Sequence, residues 1–192
     1  MGVTYDNEKQ MFVFDFEHEG VEDIVKLTGD GYQVEAVGKC FYYGYEFTDQ
    51  VDSSVRSAFI KYVKFNDNLQ DSPDLTQFIK KAVDNLDKKI NLYDYNLVVM
   101  PESSSKVNQY MLRYIYRFAQ PKFCHIRDLL NPQIDEKLCA SIRQQNVLVI
   151  DDVTTSGSTL NEILRTLRIL NEDNEITIFS LIGRKDLMAE AV

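Results

Sequence analysis

Cysteine is scarce in this chain of 192 residues, and so is histidine. The three cysteines, Cys40, Cys124 and Cys139, are odd in number and form no C-x-x-C pair. That excludes a disulfide framework and points to reduced thiols. Two scattered histidines, His18 and His125, give no spacing for a zinc site. No apolar run approaches membrane-spanning length, and Met1 is not followed by a secretory signal, so a membrane role is not expected. The start Met-Gly-Val-Thr-Tyr-Asp lacks the hydroxyl residue that N-myristoylation needs. Basic residues are outnumbered 21 to 30, giving a net charge of −9 and a pI near 4.7. Broad nucleic-acid binding is disfavoured by that balance, whereas a small anionic ligand needs only local donors. There is no internal repeat or low-complexity segment. What remains is a cytoplasmic chain whose 44% hydrophobic content can fill one domain and a small appendage.

Two textures divide it. From residue 10 to residue 47 the pattern is β-like: residues 11–16 and 32–37 alternate or nearly so, with the turn signal Thr-Gly-Asp-Gly at 28–31 between them. Phe41, Tyr42, Tyr43, Tyr45 and Phe47 form a dense aromatic cluster, for which core or sheet packing weighs more than stacking on a ring ligand. A helix is predicted over 54–65. Ser72 and Pro73 open a second helix with a core face of Leu75, Phe78, Ile79, Ala82, Val83 and Leu86. After residue 91, strands alternate with helices. Strands are predicted at 97–100, 122–126 and 175–182, and a helix with Val107, Met111, Tyr114, Ile115 and Phe118 inward follows the first. This order predicts right-handed crossovers and a parallel sheet, with ligands at the carboxyl ends of its strands. Residues 1–73 are therefore expected as a β-rich N-terminal appendage with one helix, and 74–192 as an α/β core.

Residues 147–160 carry the chemistry: Val-Leu-Val-Ile-Asp-Asp-Val-Thr-Thr-Ser-Gly-Ser-Thr-Leu. Four apolar residues end at Asp151 and Asp152, a loop of small hydroxyl residues follows, and then a helix with Leu160, Ile163, Leu164, Leu167 and Leu170 on one face. Thr159 and Glu162 have the spacing of a capping box. A strand, a polar loop and a helix start together offer N–H groups and hydroxyls to an anion. Repulsion between adjacent carboxylates is a cost that a ligand or donors must offset. A Walker loop is excluded, because its Gly-Lys-Ser/Thr ending is missing.

In residue order this stretch resembles the phosphoribosyl pyrophosphate (PRPP) signature of type I phosphoribosyltransferases. The resemblance implies a parallel-sheet, Rossmann-like core with the N-terminal segment as hood. It also implies transfer of a phosphoribosyl group from PRPP to an acceptor, with release of pyrophosphate and with Mg²⁺ bridging the donor's oxygens. Asp151 and Asp152 would hold the ribose hydroxyls, and Thr154, Thr155, Ser156, Gly157, Ser158 and Thr159 the 5-phosphate. Gly157 lets backbone approach the phosphate closely.

The resemblance also gives a role to the loop after the 97–100 strand. Glu102, Ser103, Ser104, Ser105 and Lys106 would face pyrophosphate, with the Glu102 carboxylate pointing away. Residues 127–145 stand where the family carries a segment that closes over the site and excludes water. Arg127, Lys137 and Arg143 are its candidate cations, and Arg127 and Lys137 are taken as catalytic. Arg184, at the end of the last strand, reads as surface. The 6-oxopurine enzymes place a carboxylate where this chain has Thr155, which disfavours a hypoxanthine or guanine acceptor. The acceptor stays open. The segment Tyr-Tyr-Gly-Tyr-Glu-Phe-Thr at 42–48, with the helix after it, looks loosely like ComF-like competence-associated members. Two readings stand: a catalytic transferase, or a non-catalytic protein that senses PRPP or a nucleotide. Family members are often dimers, so a homodimer is admitted.

Overall fold

The structure, a computed structural model, describes residues 2–17, 24–27, 31–34, 39–66, 69, 72–101, 105–117, 122–125, 146–154, 158–170 and 175–183. The chain opens on a hairpin of β1 (Gly2–Asp6) and β2 (Met11–Asp15), paired antiparallel with Val3 opposite Phe14. Asp6 Oδ1 accepts the N–H groups of Glu8 and Lys9, each at 3.0 Å, and Gln10 takes a φ of 52° to close the turn. The hairpin's inner rings pack on the helices behind it. Phe12 meets Phe59 at 5.0 Å between centroids, and Phe14 meets Phe78 edge-on at 5.7 Å. Sequence reading missed β1, a strand too short and too polar to show an apolar run.

Among the described residues, a larger sheet has seven strands. Besides β3 (Val25–Leu27), β4 (Gly31–Val34) and β5 (Lys39–Phe47), it contains β6 (Leu97–Met100), β7 (Lys122–His125), β8 (Asn146–Val153) and β9 (Glu175–Gly183). Their order is β3-β5-β9-β8-β6-β7, with β4 also on β5. All pairings from β5 to β7 are parallel, while β3 and β4 run antiparallel to β5. The parallel α/β core expected from the alternation is therefore present. Strand β5, from the segment read as an appendage, lies in that same sheet and pairs with β9 from Cys40↔Thr177 to Glu46↔Gly183.

Helices cover both faces. On one lie α1 (Ser53–Lys64), α2 (Pro73–Asp87) and α3 (Lys106–Ile115), packed on Val98, Met100, Leu148, Ile150, Phe179 and Leu181. On the other, α4 (Ser158–Leu170) brings Leu160, Ile163, Leu164 and Leu167 onto Leu97, Val99, Val147, Val149 and Ile178. The period-two alternation of β6 and β8 assigns these side chains to their layers. All six residues predicted as the core face of α2 are buried. Its cap differs from expectation. Ser72 makes no side-chain cap bond, because its hydroxyl accepts Asn66 Nδ2 at 3.2 Å instead, and Pro73 alone marks the helix start.

Candidate functional site

The strand ends that lead into the two polar loops lie together through topology. Strand β6 sends its crossovers to opposite sides: β7 pairs on one edge and β8 on the other. Strand order thus reverses between β6 and β8, which is where open α/β sheets bind ligands. In the register Val98↔Leu148 and Val99↔Val149, the chain leaves β6 at Pro101 beside the Asp151 end of β8. The loops after β6 and after β8 therefore start side by side.

Strand β8 does not stop at the carboxylates as its apolar run suggests. It continues through Asp151 and Asp152 to Val153, because β9 continues beside it as far as the Val153↔Ile182 pair. Both carboxylates are consequently buried, Asp151 at 5% and Asp152 at 1% exposure. Each accepts the following backbone N–H: Asp152 N donates to Asp151 Oδ1 at 2.9 Å, and Val153 N to Asp152 Oδ1 at 2.6 Å. Burial pushes the Asp151 carboxyl up to about 7. The like charge of Asp152 adds to the rise, and Lys64 opposes it.

Sequence reading missed Lys64. Its ammonium, on the last residue of α1, lies 3.3 Å from Asp152 Oδ1. Asp152 continues the Leu148–Ile150 row that faces α1 to α3, and this is why a cation from α1 reaches it. Nothing local in the sequence marks Lys64 apart from Lys61 on the same helix.

Thr154, 3% exposed, anchors the start of the second loop. Its N–H donates to Ile182 O at 2.9 Å and to Ser180 Oγ at 3.1 Å. Its hydroxyl donates to Ser180 Oγ at 2.9 Å, and Ser180 in turn donates to Ile182 O at 2.9 Å. The helix after the loop begins at Ser158, one residue before the predicted cap. Thr159 is thus an exposed residue of the first turn rather than an N-cap. On the β6 side, Ser105 caps α3 by accepting Asn108 N at 3.3 Å, and exposed Lys106 is the first helical residue. Asn108 is fully buried in that turn, and neither its Oδ1 nor its Nδ2 has a hydrogen-bond partner. The remaining expected site residues, Glu102, Ser103, Ser104, Thr155, Ser156, Gly157, Arg127 and Lys137, lie outside the described residues, as do Arg143 and Arg184. Within the aromatic cluster, Tyr43, Tyr45 and Phe47 are packed in the core, each at most 5% exposed, and Tyr45 stacks on Phe78.

Among the described residues, no group of three or more His, Cys, Asp and Glu side chains is placed to hold a metal, and no helix is long and apolar enough to cross a membrane. No family model matches the chain, and no curated protein matches it in sequence. The loose likeness to ComF-like proteins therefore rests only on the residues quoted for it. Solved structures do match. One is a hypoxanthine-guanine-xanthine phosphoribosyltransferase, 16% identical with a TM-score of 0.42, covering 57% of this chain and 62% of its own. Another is the HGPRT-ase from Leishmania tarentolae in complex with GMP, 16% identical with a TM-score of 0.36, covering 57% of this chain and 66% of its own. The chain thus spans less than two thirds of the length of either.

Proposed function

We propose that this protein binds PRPP with Mg²⁺ and transfers its phosphoribosyl group to a small acceptor, releasing pyrophosphate. The observation that carries this reading is the buried pair Asp151–Asp152 at the carboxyl end of β8, on the strand beside β6 at the switch point of the sheet. Successive strand residues face opposite sides of the sheet, so each carboxylate would accept from a different hydroxyl of a vicinal pair seated over the strand end, and burial makes those bonds count for more than they would in water. In this reading Asp151 and Asp152 hold the ribose. The 154–159 loop, anchored by Thr154 and backed by the start of α4, holds the 5-phosphate. The 102–106 loop, leading into α3, holds pyrophosphate with Ser105 as helix cap and Lys106 as cation. Arg127 and Lys137 close over the donor. Within residues 1–73, the part outside β5 and α1 acts as the hood, while β5 and α1 join residues 74–192 in the core.

Hard oxygen donors fit a hard divalent ion. With two carboxylates from the described residues, the remaining positions would fall to donor oxygens and water, as Mg²⁺ commonly binds. When bound, Mg²⁺ supplies charge neutralisation on the leaving pyrophosphate. The protein's own part is orientation and preorganised donors around C1 of the sugar.

Purified protein with PRPP and Mg²⁺ is expected to release pyrophosphate when offered the right member of a panel of nucleobases and amines. Release with no member of the panel, while calorimetry still detects PRPP binding, leaves the sensing reading in its place. Asp151→Asn combined with Asp152→Asn is expected to abolish PRPP binding while the protein keeps its circular dichroism. Full affinity in that double variant overturns the ribose assignment.

A further inference from the structure

Lys64 is held by opposing features. Its helix is fixed: Phe59 and Val63 are fully buried, and the chain leaves the helix at Phe65, whose N–H donates to Lys61 O at 3.0 Å. Its side chain is 34% exposed, so the stem can pivot while the backbone stays in place. Its partner is the reverse, a carboxylate side chain only 2% exposed. An ion pair between exposed groups contributes little, but a buried carboxylate depends heavily on the cation it has.

The surroundings supply no substitute among the described residues. Strand β6 is apolar throughout, and β9 places Ser180 and Ile182 opposite Asp151 and Val153. On α3, Lys106 and Arg113 are exposed; on α4, so are Glu162 and Arg165; on α1, Lys61 is exposed a turn before Lys64.

We infer that Lys64 is a positioning residue for the acidic pair. Its ammonium holds Asp152 in the free protein and turns to the ligand's anionic oxygens when vicinal hydroxyls take its place on the carboxylate. The inference rests on the PRPP reading for the identity of that ligand. The placement of Lys64 on Asp152 does not depend on it.

The test uses the full chain with two readouts. Carboxyl-carbon NMR without ligand follows the titration of the pair, and calorimetry with PRPP and Mg²⁺ follows affinity from pH 6 to 8. Lys64→Met is expected to move the pair's titration to higher pH, to weaken PRPP binding at least ten-fold at pH 7, and to shift the affinity profile upward in pH. Lys64→Arg is expected to stay within a few-fold of wild type, and Lys61→Met to change neither readout. Should Lys64→Met fail to fold, Lys64→Gln, shorter but with a donor retained and the charge removed, carries the same expectations. An unmoved titration overturns the inference even where PRPP binds. Tighter PRPP binding in Lys64→Met overturns it too, because the ammonium would then only compete for the site. If wild type binds no PRPP but Lys64→Met still moves the titration, the donor reading falls and the positioning of the pair by Lys64 stands.

Discussion

Two adjacent carboxylates inside a sheet give the protein a pH response whose sign can be stated. Asp151, held up to about 7, keeps a proton in the folded state across a range where the unfolded chain, with an ordinary carboxyl near 3.9, has lost it. The folded state then binds more protons than the unfolded one, so stability falls as pH rises from about 4 to about 7. The slope approaches at most about 1.4 kcal/mol per pH unit, the limit for one proton. Asp6 and Asp52 act in the opposite sense and only at lower pH. Backbone N–H donors, first that of Lys9, hold Asp6 below the usual range, and the Ser54 hydroxyl and N–H do so for Asp52. Urea midpoints measured from pH 4.5 to 7.5 should therefore decline for the ligand-free protein, and Asp151→Asn should flatten the decline. Affinity for a polyol phosphate should run the other way, since accepting from sugar hydroxyls needs the pair ionised. An affinity that falls between pH 6 and 8 would count against the ribose role. The place of the acidic pair at the end of a buried strand was legible in the sequence, because the apolar run 147–150 leads straight into it. Lys64 was not legible. It is one lysine among several on an amphipathic helix, and only the layer that Asp152 faces selects it.

At the scale of elements, apolar periodicity located most helices and strands, while their ends were set by partners that periodicity cannot see. Strand β8 outruns its apolar residues because β9 lies beside it to Ile182, and Ser72 loses its capping bond to Asn66. The same dependence on neighbours appears where β5 and β9 meet. A Cβ on Gly183 would fall 1.9 Å from Tyr43 Cε1, and one on Gly44 would fall 2.7 Å from Ala82 Cβ and 2.9 Å from the Leu181 carbonyl oxygen. Tyr43 is 3% exposed, so its ring has little room to retreat. Gly183→Ala is expected to destabilise by about 3 kcal/mol or more, the upper end for overpacking a filled core. Tyr43→Leu in the same chain should recover part of the loss. A double-mutant cycle by chemical denaturation reads this directly, and strict additivity would mean that the ring is not what excludes a side chain there.

At the scale of the molecule, the least legible fact is that the N-terminal segment completes the sheet. Its alternating, aromatic-rich pattern reads as a separate β unit. Joining β5 to β9 is a parallel, long-range pairing that no local signal encodes. Three consequences follow for residues 73–192 expressed alone. Strand β9 would become an open edge along Thr177 to Gly183. The layer of Phe179, Leu181 and the α2 face Phe78–Ala82 would lose Tyr45, Phe47, Phe59 and Val63, all at most 5% exposed in the whole chain. Full burial of such side chains contributes roughly 1.5–3 kcal/mol each, so losing four removes as much as many domains have in total. Asp152 would also keep its buried place without Lys64. The fragment is therefore expected to aggregate or to bind a hydrophobic dye without a cooperative unfolding transition, whereas the full chain unfolds in one step. A soluble, monomeric fragment with a sharp transition would show instead that the core stands without β5 and α1. If that fragment also bound PRPP as tightly as the whole chain, Lys64 would lose its role as well, since α1 would have contributed nothing to the site.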